Sequence, residues 1–124
     1  MAKFMRIDHV AVHVRDVDAS VAFYEGHFGF KTYFRGPTPR GIDIAYLKLG
    51  DTVLELTGAP DKQTSGYHFC LETDDFDGAV ADLKAAGVEI HTPPHDVDAR
   101  EPREETWRRV VFYGPDREMV ELRG

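Results

Sequence analysis

A single cysteine, Cys70, stands among 124 residues, so no internal disulfide can form. That scarcity suits a reducing compartment, because structural disulfides belong to oxidising ones. No apolar run approaches the roughly 20 residues needed to cross a bilayer as a helix. The opening Met1-Ala2-Lys3-Phe4-Met5-Arg6 lacks the apolar stretch of a secretory signal. A cytoplasmic protein with no membrane partner is the expectation. Basic charge is also short: 15 Lys and Arg face 22 Asp and Glu, a net charge of −7. A nucleic-acid binder carries a basic face, so no nucleic-acid partner is expected. What remains is ordinary globular material, 42% hydrophobic and 30% charged, enough for a core and too apolar for a disordered chain. The length suits one compact domain spanning 1–124.

Two stretches of the chain resemble each other. His9 to Ala22 matches His68 to Ala81 at a constant offset of 59, pairing His9 with His68, Asp16 with Asp75, Asp18 with Asp77 and Val21 with Val80. Each begins as an alternating strand, passes an Asp-apolar-Asp cap and enters a helical pattern. The aspartates of each cap can accept the unpaired N–H groups of the first helical turn. Gly29 and Gly87 end the helices. A second pair follows: Gly50–Gly58 resembles Pro115–Gly124, each a turn with Asp51 or Asp116 leading into Leu54-Glu55-Leu56 or Val120-Glu121-Leu122. Repeat 1 therefore covers about 5–58 and repeat 2 about 65–124.

The patterns predict strands near 5–14, 30–35, 42–49, 52–57, 66–73, 88–92, 106–113 and 117–122, with helices near 18–28 and 76–86. Residues Gly36–Gly41 read as a loop. So does Thr92–Glu105, which holds three prolines and many charges; loops of that length often act as lids or binding loops. The fold class expected is α+β: two βαβββ modules forming a curved mixed sheet that cups the active site.

Strand side chains alternate between faces. His9 shares a face with Ile7, Ala11 and His13, opposite Val10, Val12 and Val14. Glu55 shares one with Val53 and Thr57, opposite Leu54 and Leu56. His68, Cys70 and Glu72 oppose Tyr67, Phe69 and Leu71; Met119, Glu121 and Arg123 oppose Val120 and Leu122. The strongly apolar faces should pack on the helices. His9, Glu55, His68 and Glu121 then all lie on the other face. Any one of them alone reads as a hydrogen-bonded or solvated side chain. Two His and two Glu at equivalent places in two repeats read as a ligand set, and a dication gives both carboxylates the partner that a buried charge needs. Two imidazoles and two carboxylates without thiolate suit Ni²⁺, Zn²⁺, Co²⁺, Mn²⁺ or Fe²⁺.

Other residues could shape a binding site. Tyr46 shares a face with Ile42, Ile44 and Lys48; Trp107 and Arg109 share one with Val111 and Tyr113. On a cupped face Arg109 would bind an anionic group and Trp107 would stack on an apolar one. The same positions equally suit a core Trp107 and a solvated Arg109. His95, Arg100 and Arg103 sit in the long loop, either solvated or facing an acidic substrate. Nothing near Cys70 in sequence would lower its pKa.

Five motifs carry a family resemblance along nearly the whole chain: Ile7-Asp8-His9-Val10-Ala11-Val12; Ala22-Phe23-Tyr24 with Gly29-Phe30; Val53-Leu54-Glu55-Leu56; Gly66-Tyr67-His68-Phe69; and Gly114-Pro115-Asp116 leading to Val120-Glu121-Leu122. With them the chain resembles the vicinal oxygen chelate superfamily of glyoxalase I, methylmalonyl-CoA epimerase, extradiol dioxygenases and fosfomycin- and bleomycin-resistance proteins. The His, Glu, His, Glu order is similar to bacterial glyoxalase I. The resemblance implies a metal-dependent lyase or isomerase that acts on a small carbonyl or 2-hydroxycarbonyl compound, such as a thiol adduct of methylglyoxal, through a metal-stabilised enediolate. It implies Glu121 as the proton-abstracting base, with Glu55 second, and a homodimer. Glyoxalase I grips the glutathione carboxylate through an Arg four residues after the first ligand; here His13 takes that place as a substrate-binding candidate, which leaves the thiol unassigned. Two alternatives stand beside this reading. One is an Fe²⁺ extradiol-type dioxygenase needing only His9, His68 and Glu121. The other is a drug- or toxin-binding resistance protein without turnover.

Overall fold

Val12 and Val14 are buried while the intervening His13 stays partly accessible, the two-residue period of a half-buried strand. This strand is β1, Val10–Val14, in a computed structural model that describes residues 2–3, 5–61 and 68–124. After it come α1 (Val17–Phe28), β2 (Lys31–Pro37), β3 (Asp43–Leu49) and β4 (Thr52–Gly58). The chain divides into two units, Met1–Thr64 and Ser65–Gly124.

In the first unit the sheet order is β1-β4-β3-β2, with β1 parallel to β4 and the other neighbours antiparallel. Val12, Val14, Ala45, Leu47, Leu54 and Leu56 are buried, as are Val17 and Tyr24 of α1. Burying each Val or Leu contributes about 1.5–3 kcal/mol, so this apolar face fixes which way the opposite face must look. The Asp16 carboxylate accepts the Ala19 N–H at 3.0 Å and starts α1. Gly29, with φ of 76°, ends it in a left-handed turn that most side chains resist. Asp18, expected to share the cap, instead accepts from Arg35 Nη2 at 2.6 Å.

The second unit repeats the plan. Its elements are β5 (His68–Glu72), α2 (Phe76–Ala85), β6 (Ile90–Asp96), a 3₁₀ turn (Pro102–Glu104), β7 (Arg108–Tyr113) and β8 (Met119–Arg123). The order β5-β8-β7-β6, with β5 parallel to β8, mirrors that of the first sheet. Phe76, Val80, Leu83, Val110, Phe112, Val120 and Leu122 are buried. Asp75 caps α2 through the Gly78 N–H at 3.0 Å, and a Cβ at position 78 would lie 2.1 Å from its Oδ2. Asp77 accepts from Arg108 Nη2 at 2.8 Å rather than capping. The fold is α+β, two βαβββ modules with a four-stranded mixed sheet in each.

Three boundaries differ from expectation. β1 begins at Val10; residues 5–9 lie outside any strand, and Met5 and Ile7 are 82% and 81% exposed. The apolar spacing there suits a strand, but the ladder with β4 starts only at the Val10–Leu54 pair. β6 runs on to Asp96 through Pro93 and Pro94, so the expected loop from 92 is partly strand. It lies at the sheet edge with its register shifted between Thr92 and His95, where missing N–H donors cost little. β2 takes in Gly36 and Pro37 at the other sheet's edge in the same way. The expected first residues of β5, Gly66 and Tyr67, lie outside the described residues. Among the described residues no helix is long and apolar enough to cross a membrane.

Candidate functional site

Parallel pairing of β1 with β4 sets Ala11 opposite Glu55, and antiparallel pairing of β3 with β4 sets Tyr46 opposite the same residue. His9, just before β1, brings its Nε2 to 3.9 Å from Glu55 Oε1. Thr57 Oγ1 donates to Glu55 Oε2 at 2.6 Å. Partial burial raises the Glu55 pKa, but the Thr57 and Tyr46 hydrogen bonds and the two nearby histidines outweigh it and leave it below the ordinary value. The Tyr46 phenol is pushed up to about 12, chiefly because it donates to Glu55. On the other side of the His9 ring, Nδ1 stands 2.9 Å from Asp8 Oδ2. With the Nδ1–H tautomer the imidazole donates to the Asp8 carboxylate and its Nε2 is left as the acceptor, the arrangement that orients metal-bound histidines. His13, opposite Thr57 in the ladder, is half-buried, and its Nδ1 has no hydrogen-bond partner among the described residues.

The second unit places its pair by the same registers: Glu121 lies opposite Cys70 of β5 and Val111 of β7. Glu121 is 2% exposed. His68 Nε2 stands 2.8 Å from its Oε2, while Oε1 accepts from Arg123 Nε at 2.7 Å and Arg109 Nε at 2.9 Å. Burial pushes the Glu121 pKa up; the two guanidinium groups reverse this and hold it below the ordinary range. Arg109, placed in sequence as a binder of an anionic substrate group, thus meets an anion of its own chain. Trp107 lies with the Arg103 guanidinium carbon 4.7 Å from its ring centre. Partial desolvation of the otherwise exposed Cys70, with the Glu121 charge, drives its thiol up to about 11, away from thiolate chemistry.

The charged loop residues are engaged within their own unit. Arg100 donates to buried Glu104 from N, Nε and Nη2 at 2.9, 2.9 and 2.6 Å. Those bonds bring the Glu104 pKa down to about 2. Arg103 pairs with Glu72 at 2.9 Å and with Glu101. His95 Nδ1 stands 2.9 Å from the Pro93 carbonyl oxygen.

Sequence reading missed Asp8, Thr57 and Arg123 as members of these groups. Their signals were present: Asp8 adjoins His9, and Thr57 and Arg123 each follow a Glu by two residues, hence on its strand face.

Among the described residues no three or more His, Cys, Asp or Glu side chains form a group able to hold a metal ion. The structure supplies instead one imidazole–carboxylate pair in each unit. Two ligands each about 2.1 Å from one ion stand roughly 3–4 Å apart. The separations of 2.8 and 3.9 Å lie near the two ends of that range. Both carboxylates are held ionised, the donors are N and O, and the nearby thiol is held protonated. Each pair offers one nitrogen and one oxygen donor of the kind that divalent metals take.

The sequence profile of the Glyoxalase/Bleomycin resistance protein/Dioxygenase superfamily matches residues 6–122. The mitochondrial methylmalonyl-CoA epimerase of Homo sapiens is 33% identical over 92 residues, covering 64% of this chain and 52% of the relative. The metallothiol transferase FosB of Lysinibacillus sphaericus is 30% identical over 118 residues, covering 94% of this chain and 79% of the relative. The crystal structure of the fosfomycin resistance protein FosX from Listeria monocytogenes, complexed with Mn(II) and sulfate, superposes with a TM-score of 0.74 at 16% identity. That match covers 98% of this chain and 93% of FosX and bears on fold alone. The chain spans 52%, 53% and 56% of the lengths of the mammalian epimerases it matches.

Proposed function

The chain belongs to the Glyoxalase/Bleomycin resistance protein/Dioxygenase superfamily, and from that premise we propose a divalent-metal-dependent lyase or isomerase that moves a proton on the carbon beside a carbonyl group. The observation that carries the reading is the His–Glu pair present in each unit, 3.9 Å apart in one and 2.8 Å in the other. His9, Glu55, His68 and Glu121 together would hold the ion. When bound, it supplies Lewis acidity toward the oxygen of a developing enolate or enediolate. The epimerase relative supports the reaction class, since inverting a carbon beside a carbonyl requires a proton to leave and return. The oxygenase alternative needs no Glu55. Here Glu55 faces His9 as Glu121 faces His68, which weighs for the four-residue set.

The chain's own groups divide the work. Asp8 holds the His9 ring so that Nε2 faces Glu55. Glu121 has guanidinium donors on Oε1, and charge-assisted bonds of that kind are the stronger ones; it serves as a fixed anionic ligand. Among the described residues the hydrogen-bond donors to Glu55 are the neutral hydroxyls of Thr57 and Tyr46, which leaves it the freer of the two to accept the substrate proton. Once protonated, Glu55 is neutral, and Tyr46 then donates to the carbonyl oxygen of the resulting carboxylic acid. This ordering reverses the one implied by family resemblance. The same reading takes the protein as a cytoplasmic homodimer acting on a small molecule. Exposed Met5, Ile7 and Val10, beside edge strand β1, offer apolar surface for self-association.

The test is exchange of the carbon-bound proton of small 2-hydroxyketones, and of methylglyoxal with several thiols, followed by NMR in D₂O. General-base removal costs about 10²- to 10⁴-fold, so Glu55→Gln should slow exchange by at least a hundredfold while metal content is measured in parallel. Undiminished exchange in both Glu55→Gln and Glu121→Gln would overturn the proposal.

A further inference from the structure

Tyr33 and Phe34 are neighbours in β2, yet 53% and 47% of their surfaces lie in water. Alternation would send one ring of such a pair into the core. The register shift between Thr32 and Phe34 breaks the alternation and leaves both rings outside it. With Pro37, Pro39, Ile44 and Tyr46 they line a groove of about 510 Å³, within the range of small-molecule sites.

The groove leads to the candidate chemistry. The Tyr46 ring lies 6.0 Å from both Tyr33 and Phe34, and 5.5 Å from the His9 ring. Its hydroxyl serves Glu55. The far wall is stiff before any ligand arrives. Thr38 N–H donates to the Ile42 carbonyl at 2.8 Å, and its Oγ1 accepts the Ile42 N–H at 3.1 Å. Pro37 and Pro39 restrict the backbone on either side of Thr38. Charge is sparse: among the described lining residues Asp8 alone is charged, Lys48 Nζ is engaged over the Tyr33 ring at 4.7 Å from its centre, and Arg35 nearby is spent on Asp18 and Asp43.

We infer that this groove binds the uncharged aromatic or bulky aliphatic substituent of the carbonyl substrate, so that the preferred class is an aryl- or branched-alkyl-substituted 2-hydroxyketone rather than a three-carbon one. The inference rests on the proposed reading of the His9–Glu55 pair. Apolar walls and a lone carboxylate exclude an anionic substituent, and the cavity is larger than a methyl group can fill.

The experiment compares 2-hydroxyacetophenone with hydroxyacetone on the intact protein. Binding is followed by NMR line broadening and by shifts of the Tyr33, Phe34 and Tyr46 rings; turnover is followed by proton exchange in D₂O. Burial of a phenyl ring should tighten binding by about tenfold or more. Phe34→Ala and Tyr33→Ala, at exposed positions that the fold does not need, should each erase most of that preference. Equal binding of the two ketones, or a preference that survives both substitutions, overturns the inference. So does a dimer that covers Phe34 and dissociates in Phe34→Ala, because the rings then serve a second copy. A phenyl preference without proton exchange keeps the groove and removes the proposed reaction. Exchange without the preference does the reverse.

Discussion

Glu55 and Glu121 occupy the same register position, opposite Ala11 and Cys70 in their parallel partner strands, yet one is held by two hydroxyls and the other by two guanidinium groups. The difference follows burial. Glu121, with a side chain 3% accessible, is cut off from water and keeps its charge only because Arg109 and Arg123 neutralise it. Glu55, at 15%, keeps partial hydration and manages with Thr57 and Tyr46. The histidines differ in the opposite sense: His9 has its own carboxylate in Asp8, whereas among the described residues His68 pairs with Glu121. Each unit carries a His–Glu pair, but the groups that support its carboxylate differ: two guanidinium groups at Glu121, two hydroxyls at Glu55.

The largest way to break that contrast is Glu121→Ala, which leaves two guanidinium groups without their buried partner. A loss of about 3 kcal/mol is expected in urea unfolding. Glu55→Ala should cost about 1 kcal/mol, since it removes hydrogen bonds from neutral donors. Equal losses would erase the distinction. Asp8→Asn should weaken metal binding by about tenfold, read by calorimetric titration, with little change in unfolding. An unchanged affinity would remove Asp8 from the site. In Glu55→Gln the Tyr46 phenol loses its anionic acceptor. Its ionisation, followed by tyrosinate absorbance, should drop from about 12 toward the ordinary 10.

Acid sharpens the comparison further. Glu55, Glu121 and Glu104 all have folded pKa values below their unfolded ones. The stability they provide is therefore present above about pH 4.3, the ordinary Glu value, and drains as pH falls. For Glu104 the loss continues down to about pH 2. Wild-type unfolding free energy should decline across that interval, and Arg100→Ala should flatten its lower part by releasing Glu104. A pH-independent baseline there would contradict the assigned pairings.

Local patterns in the sequence carried much of this. The Asp16 and Asp75 caps, the glycines that end the helices and the buried Val12, Val14, Leu54 and Leu56 depend on spacings of a few residues and are where their patterns placed them, whereas Val10 of the same β1 face is exposed. Alternation assigned a face to Glu55 and Glu121, which lie in strands, but not to His9, which precedes β1. Partners across strands were not legible. Arg109 and Glu121 are twelve residues apart and meet through the β7–β8 pairing, so the sequence offered Arg109 either as an anion binder or as a solvated charge and not as a partner of Glu121. Asp18 and Asp77 read as caps because their arginine partners, Arg35 and Arg108, lie 17 and 31 residues away. The edge prolines of β6 resembled loop punctuation, since single-chain patterning does not reveal which strands are edges. The bulge in β2 hid the aromatic groove for a related reason: it suspends the alternation from which faces are read.

The central claim is that the two imidazole–carboxylate pairs are joint ligands of one ion. Metal content and affinity of purified wild type, His9→Ala and His68→Ala, measured by elemental analysis and competition with a chelating dye, test it most directly. The account predicts about one divalent ion per chain in the wild type and a loss of at least tenfold in affinity in each variant. Full metal binding in either variant would contradict it.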